Sequence, residues 1–177
     1  MKEMKRSEQE LKGTVPFLRK LCLDDLNRAV ALASVAHNGQ EDLGKCNYLN
    51  HLLRVCNKLR DDEAKTVAIL HDVIEDTQVT MAMLAELRFS SSVLVAVDLL
   101  TKRPEQDYYE YVARIGQNEL ASRVKLSDLH DNLDVDGRRP LPAPEKLRDK
   151  YIQSRTFLSE LYPDAECADT NIEWINP

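Results

Sequence analysis

The chain has 177 residues, 43% of them hydrophobic and 31% charged, with five glycines and a formal charge of −6. That length fits one domain with a sizeable core, and the composition is that of a helix-rich globular protein, not a disordered or fibrous one. The acidic balance argues against general nucleic-acid binding, and no stretch approaches the ~20 apolar residues of a membrane span. Cys22, Cys46, Cys56 and Cys167 form no CxxC pair, and Met1 to Glu10 is charged without an apolar signal core. A cytoplasmic protein with reduced thiols is expected.

Residues 1–22 read as a polar N-terminal extension. Its first twelve residues are a frayed helix or disordered, and Gly13 and Pro16 separate them from the next segment. The folded domain spans 23–161. In it, Leu26, Ala29, Val30, Ala33 and Ala36 follow helical spacing from Asp24 to about His37, and Asn38-Gly39 stops that helix. Glu41 to Asn47 is a loop, and a second helix runs from about Tyr48 to Leu59. Asp61-Asp62 caps the helix that leads into His71 and Asp72. Thr80 is an N-cap for a short helix, Met81 to Leu87. Val93 to Leu100 is apolar enough for a strand or a buried helix, and its helical neighbours favour helix. Two more helices cover Asp107 to Ile115 and Leu120 to Leu133. A proline-rich loop, Asp136 to Pro144, precedes a last helix from about Glu145 to Leu161, and 162–177 is an irregular tail. No alternating strand pattern recurs, so the expected fold is an all-α bundle.

The chemistry concentrates at Leu70-His71-Asp72-Val73-Ile74-Glu75-Asp76-Thr77. On a continuous helix His71 lies over Glu75 and Asp72 over Asp76, which builds one wall of carboxylates and an imidazole. Such a wall on a core helix needs a compensating cation, and a divalent metal is the simplest one. His51 sits among Leu49, Leu52 and Leu53. A lone histidine there is commonly a satisfied core residue, but this one is a single helix away from the acidic wall. Asp128 lies among Val124, Leu126, Leu129 and Leu133, with Asn132 four residues on along the same face. Two imidazoles with two carboxylates suit Mn²⁺, Fe²⁺ or Zn²⁺, and the mixed donor set favours manganese or iron over a structural zinc site. His37, near a helix end, reads as structural. His130 is two residues from Asp128, faces away from it on a helix, and reads as no ligand.

In this order the residues resemble the HD-superfamily metal-dependent phosphohydrolases, and more narrowly the hydrolase domain of the RelA/SpoT alarmone enzymes and their small stand-alone relatives. The resemblance rests on Ala36-His37-Asn38-Gly39-Gln40, on Tyr48-Leu49-Asn50-His51, and on Leu70 to Thr77. Thr101-Lys102 and the Val-Lys-Leu-x-Asp-x-x-x-Asn run from Val124 to Asn132 complete it. It covers about residues 24–160 and implies a multi-helix HD domain with a metal site between helices. By this resemblance His51, His71, Asp72 and Asp128 are metal ligands, with Mn²⁺ the expected metal and Fe²⁺, Zn²⁺, Co²⁺ or Ni²⁺ the alternatives. Glu75 and Asp76 position or deprotonate the attacking water, a role in keeping with a metal that lowers the pKa of water beside a carboxylate. Lys102, Lys125 and Tyr151 contact phosphate or ribose, and Asn132 supports substrate or Asp128.

One stretch departs from that pattern. Alarmone hydrolases carry an Arg-Lys pair shortly after the Gly-Gln, where the arginine meets guanine, and this chain has Asp42-Leu43. A carboxylate offers no guanidinium stacking and repels phosphate. The expected function is therefore metal-dependent phosphohydrolysis of a nucleotide, with removal of the 3′-pyrophosphate of (p)ppGpp the best-defined reaction. Hydrolysis of another nucleotide phosphate, a catalytically silent nucleotide-binding module, and a helical scaffold without ligand are the alternatives. The expected partner is a small nucleotide substrate, with neither nucleic acid nor membrane, and the sequence carries no signal for an oligomeric state.

Overall fold

The computed structural model describes residues 2–42, 44–133 and 144–165. Among them the helices are α1 (Lys2–Lys20), α2 (Asp25–Ala36), α3 (Leu49–Asn57), α4 (Asp62–Leu70), α5 (Val73–Asp76), α6 (Met81–Glu86), α7 (Ser91–Leu100), α8 (Tyr108–Ile115), α9 (Glu119–Asn132) and α10 (Glu145–Leu161). A 3₁₀ turn comes next, at Pro163–Ala165. The described residues form an all-α bundle, with one isolated bridge, Glu41 to Asn47, closing the loop before α3. None of these helices is long and apolar enough to cross a membrane.

The bundle is arranged around α4. Asp61 starts it by accepting the Ala64 N–H at 2.8 Å, which satisfies one of the donors a helix start leaves open. Ala64, Val67, Ala68, Ile69 and Leu70 are then fully buried, because α2, α3, α7 and α9 all pack on this helix. Two alanines on it allow neighbours to approach closely, and Ile69 and Leu70 fill the space between them. Truncating either to alanine is worth about 2–5 kcal/mol. Across the bundle, the buried Ser127 hydroxyl of α9 donates to the Val55 carbonyl of α3 at 2.8 Å. That bond fixes the height of α9 against α3, and so the height of Asp128 against His51.

Elsewhere side chains cap what the helices leave open. Thr80, Ser90, Asp107 and Asn118 accept backbone N–H groups at the starts of α6, α7, α8 and α9. The Ser90 cap and the length of the apolar run settle Val93 to Leu100 as helix. At the far end of α7, Arg114 donates to the Leu99 and Thr101 carbonyls, and the Tyr111 hydroxyl donates to the Leu100 carbonyl. These bonds from α8 fix the chain as it enters Lys102.

Two expectations are corrected. Gly13 and Pro16 do not break the N-terminal segment: α1 runs through both and packs on α2 through Leu11, Val15 and Leu18. Pro16 is exposed, so the helical hydrogen bond it removes lies on the solvent side of α1. The second correction concerns the acidic wall. The helix is interrupted after Leu70, and His71 and Asp72 form a turn between α4 and α5. His71 Nδ1 reaches the Ala68 carbonyl at 2.7 Å, a side-chain bond that competes with the helical ladder. The expected loop from Asp136 to Pro144, with Arg138 and Arg139, lies outside the described residues except for Pro144.

Candidate metal centre

Side chains from α3, the α4–α5 turn and α9 meet at one point. His51 Nε2 lies 3.4 Å from Asp128 Oδ1 and 3.7 Å from Asp72 Oδ2. His71 Nε2 lies 3.0 Å from Asp72 Oδ2 and 3.8 Å from Asp128 Oδ1. Both imidazoles and Asp128 are buried. The break after Leu70 is what lets Asp72 turn its carboxylate back towards His71 instead of continuing round a helix.

These residues fit a divalent cation on their own chemistry. A carbonyl can only accept, so the bond from His71 to Ala68 places a proton on Nδ1 and aims Nε2 into the cluster. That Nε2 is buried, and its nearest charged neighbour is Asp72 Oδ2 at 3.0 Å. His51 Nδ1 likewise donates to Asp131 Oδ2 at 2.8 Å and presents its Nε2 inward. Backbone carbonyls and carboxylates behind ligand histidines are the usual means of fixing tautomer and ring orientation. The inward atoms of His51, His71 and Asp72 lie within 4.8 Å of one another, a spacing open to one ion. Two imidazole nitrogens with carboxylate oxygens are a donor set for a first-row divalent metal.

The charges have been set against burial. Burial alone would lower the His51 imidazole, but hydrogen bonding to Asp128 and Asp131 pushes it up to about 9. His71 is raised in the same way by Asp72. Burial would raise Asp128, yet the Lys125 ammonium and the two imidazoles hold it well below the usual carboxylate range. Asp72 is also lowered, against its burial, by His71. The cluster is therefore a site for positive charge.

Around it the other sequence-predicted residues take distinct places. Glu75 Oε2 accepts the Lys102 backbone N–H at 3.0 Å, so Lys102 meets the site through its main chain. Burial and the nearby Asp72 and Asp76 push Glu75 up. Asp76 is raised by burial and by Asp72, and its Oδ2 lies 3.3 Å from the Tyr48 hydroxyl. Lys125 Nζ donates to Asp128 Oδ2 at 2.8 Å, and the Asn132 amide donates to Asp128 Oδ1. Both thus hold a candidate ligand. Tyr151 of α10 packs near Tyr108, their ring centroids 6.2 Å apart, with Lys150 between the helix and the Tyr108 face. His37 is buried, stacks on Tyr48, and bonds through Nδ1 to Gln40. His130 is half-buried and contributes no atom to the cluster distances above.

Three residues stand at the site to which the sequence assigned no role. Tyr48 donates to Asp72 Oδ2 at 2.5 Å. Burial and the Asp72 charge raise its pKa, which keeps it a donor. Asp131 backs His51, and Arg54 Nε donates to Asp131 Oδ1 at 2.8 Å. The available signal was spacing: Arg54 comes three residues after His51 and Asp131 three after Asp128, a cation and an anion on the facing sides of α3 and α9. Asp42 also departs from expectation. Its carboxylate turns inward, accepting the Gly44 and Cys46 N–H groups at 2.8 and 3.0 Å and lying 3.7 Å from Arg54.

No family model matches the chain. It is 31% identical to a GTP pyrophosphokinase of Myxococcus xanthus, over 88% of this chain and 23% of that protein. It is 30% identical to a guanosine-3′,5′-bis(diphosphate) 3′-pyrophosphohydrolase of Aquifex aeolicus, over 62% of this chain and 17% of that protein. The chain thus spans less than a quarter of the length of these curated relatives. A solved structure, described as a metazoan ortholog of SpoT that hydrolyzes ppGpp and plays a role in starvation responses, matches with a TM-score of 0.63. That match covers 83% of this chain and 90% of the other at 22% identity, which establishes a shared fold. In sequence and in fold, the chain resembles the hydrolase domain of the RelA/SpoT type.

Proposed function

We propose that this chain is a metal-dependent phosphohydrolase that removes the 3′-pyrophosphate of (p)ppGpp. The observation that carries the reading is the convergence of His51, His71, Asp72 and Asp128, with both imidazole Nε2 atoms turned into the cluster and two raised carboxylates alongside. The names of the two curated relatives supply the substrate class. His51, His71, Asp72 and Asp128 would hold a divalent cation, Mn²⁺ by preference. Such an ion supplies Lewis acidity and lowers the pKa of water.

The rest of the chemistry belongs to the chain. Glu75 is positioned by the Lys102 N–H and Asp76 by Tyr48. A carboxylate pushed up by burial is a better proton acceptor than an ordinary one, which suits either residue to take the proton of the attacking water. The oxygen of that water bonds to the phosphorus attached to the ribose 3′ oxygen. The bond to the 3′ oxygen breaks, pyrophosphate leaves, and the 3′ oxygen is protonated. The side chains of Lys102 and Tyr151 are assigned to phosphate and ribose, as are Lys125 and Asn132 while they also hold Asp128.

The test is hydrolysis across a panel of ppGpp and ordinary nucleotides, with Mn²⁺ and with chelator. Pyrophosphate release from ppGpp, abolished by chelator, is the expected result. Chelator-sensitive turnover of another nucleotide alone would keep the mechanism and replace the substrate. That second reading is favoured by one observation: where the alarmone hydrolases carry a guanine-stacking arginine, Asp42 is folded inward. No turnover of any nucleotide, with metal bound, would make the chain a binding module.

A further inference from the structure

We propose that Asp131 and Arg54 are positioning residues for the candidate ligand His51. The proposal rests on the metal-binding part of the reading above.

The two histidines are held by different devices. His71 leans on a backbone carbonyl, Ala68, which no side-chain substitution removes. His51 leans on a side chain, Asp131 Oδ2 at 2.8 Å, and both partners are buried. A buried carboxylate needs a counter-charge of its own if it is to stay ionised behind an imidazole. Arg54 supplies it in forked form, Nε to Oδ1 at 2.8 Å and Nη2 to Oδ2 at 3.3 Å. Two contacts from a planar guanidinium fix the plane of the carboxylate and hence the direction from which it meets the ring. A lysine would hold the charge without the plane.

Behind Arg54 stands the buried Asp42, whose Oδ2 lies 3.7 Å from Arg54 Nη2. Its other oxygen accepts the Gly44 and Cys46 N–H groups. The Asp42 N–H donates to the Cys46 carbonyl at 2.8 Å, and the Lys45 N–H donates to the Asp42 carbonyl at 3.0 Å. Lys45 sits at φ +61°, a conformation this tight turn imposes. Asp42 thus places a second negative charge beside the guanidinium that orients Asp131. The polar residue that departs from the alarmone-hydrolase pattern turns inward, towards Arg54.

The experiment is binding of Co²⁺ alone to the metal-free full chain, by competition with a chromophoric chelator, for wild type, Asp131→Asn, Arg54→Met and Arg54→Lys. Loss of a group behind a ligand histidine commonly weakens binding about 10–100-fold. Asp131→Asn is expected in that range, Arg54→Met at its lower end, and Arg54→Lys between Arg54→Met and wild type. A second readout needs no metal. The slowly exchanging His51 Nδ1–H resonance should move or vanish in Asp131→Asn, while that of His71, bonded to Ala68, stays in place. Thermal unfolding of each metal-free variant identifies any that does not fold, and Arg54→Lys keeps the charge for that reason. If wild type binds Co²⁺ and the folded variants bind it equally, with the His51 resonance unmoved, the positioning role is overturned alone. If wild type binds no Co²⁺, the metal reading falls and this proposal falls with it.

Discussion

The carboxylates around the two histidines divide into two kinds, and the difference lies in what stands beside them. Asp72 and Asp128 have cationic neighbours: His71 for the first, Lys125 and both imidazoles for the second. They stay ionised despite burial. Glu75 and Asp76, a turn further along the same strip, have a backbone N–H and a phenol as their partners and Asp72 as a like-charged neighbour. They are pushed up. Groups of one chemical type driven in opposite directions a few residues apart mark a division of labour: permanent charge on one side, a proton acceptor on the other. On the proposed reading, the first pair holds the cation and the second serves the water.

The hardest test of that division is removal of a member of the ionised pair. Asp128→Asn or Asp72→Asn should abolish both Co²⁺ binding and nucleotide turnover, read by competition titration and by pyrophosphate release. Turnover that survives in either would remove that residue from the ligand set. Substitution on the other side should separate the two readouts. Glu75→Gln and Asp76→Asn are expected to lower kcat, the residue that takes the proton by about 10²–10⁴-fold, the usual worth of a general base. Co²⁺ affinity should stay within a few-fold of wild type. If affinity collapses as well, the two kinds of carboxylate are one ligand cluster and the comparison is broken.

Lys125 sharpens the same contrast from the side of stability. Its ammonium, buried against Asp128 at 2.8 Å, does for the metal-free protein what a cation would do. Removing one partner of such a pair usually costs about 3–5 kcal/mol. Lys125→Met should therefore lower the metal-free urea midpoint by an amount in that range, whereas Co²⁺ should restore more stability to the variant than to wild type. An equal Co²⁺ response in both would mean that Lys125 and the cation do not compete for the Asp128 charge.

Much of this site could be read in the sequence because its residues fall at fixed spacings in locally helical chain. His51, His71-Asp72 and Asp128 stand in apolar surroundings, and the caps Asp61, Thr80 and Asp107 announce helix starts. What escaped the sequence depends on contacts between elements. Arg54 and Asp131 look like ordinary surface charges until α3 and α9 are brought together, in a register that the Ser127 bond to Val55 helps to set. The interruption after Leu70 turns on a side-chain bond from His71 to Ala68 that no periodicity encodes. In α1, the Leu11, Val15 and Leu18 stripe was present at helical spacing, but Gly13 and Pro16 concealed it. A proline inside a helix costs about 3 kcal/mol, and burial of three large apolar side chains is enough to offset it. Asp42 read as a charge facing substrate, since a side chain in a loop carries no signal of whether it turns in or out.

The smallest effect concerns the cap that starts α4. Asp61 accepts the Ala64 N–H and pairs with Arg123, and these contacts outweigh partial burial to lower its carboxyl from the ordinary 3.8. Asp61→Ala should cost about 1 kcal/mol through the lost cap. The Arg123 pair adds little, since the Asp61 side chain is 46% exposed and solvent screens it. The lowered value sets the sign with pH. A carboxyl held below its unfolded pKa contributes fully above that unfolded pKa, and the contribution fades as pH falls through the folded one. Urea midpoints of wild type and Asp61→Ala should therefore differ most near neutrality and converge towards acid. A gap that widened on acidification would mean that Asp61 is stabilised as the neutral acid, and α4 would then owe its start to something other than a charged cap. Because α4 carries the chain to His71, even this minor loss should register as faster opening of the Ala68 and Leu70 amides in hydrogen exchange, with the Co²⁺ affinity of the folded protein unchanged.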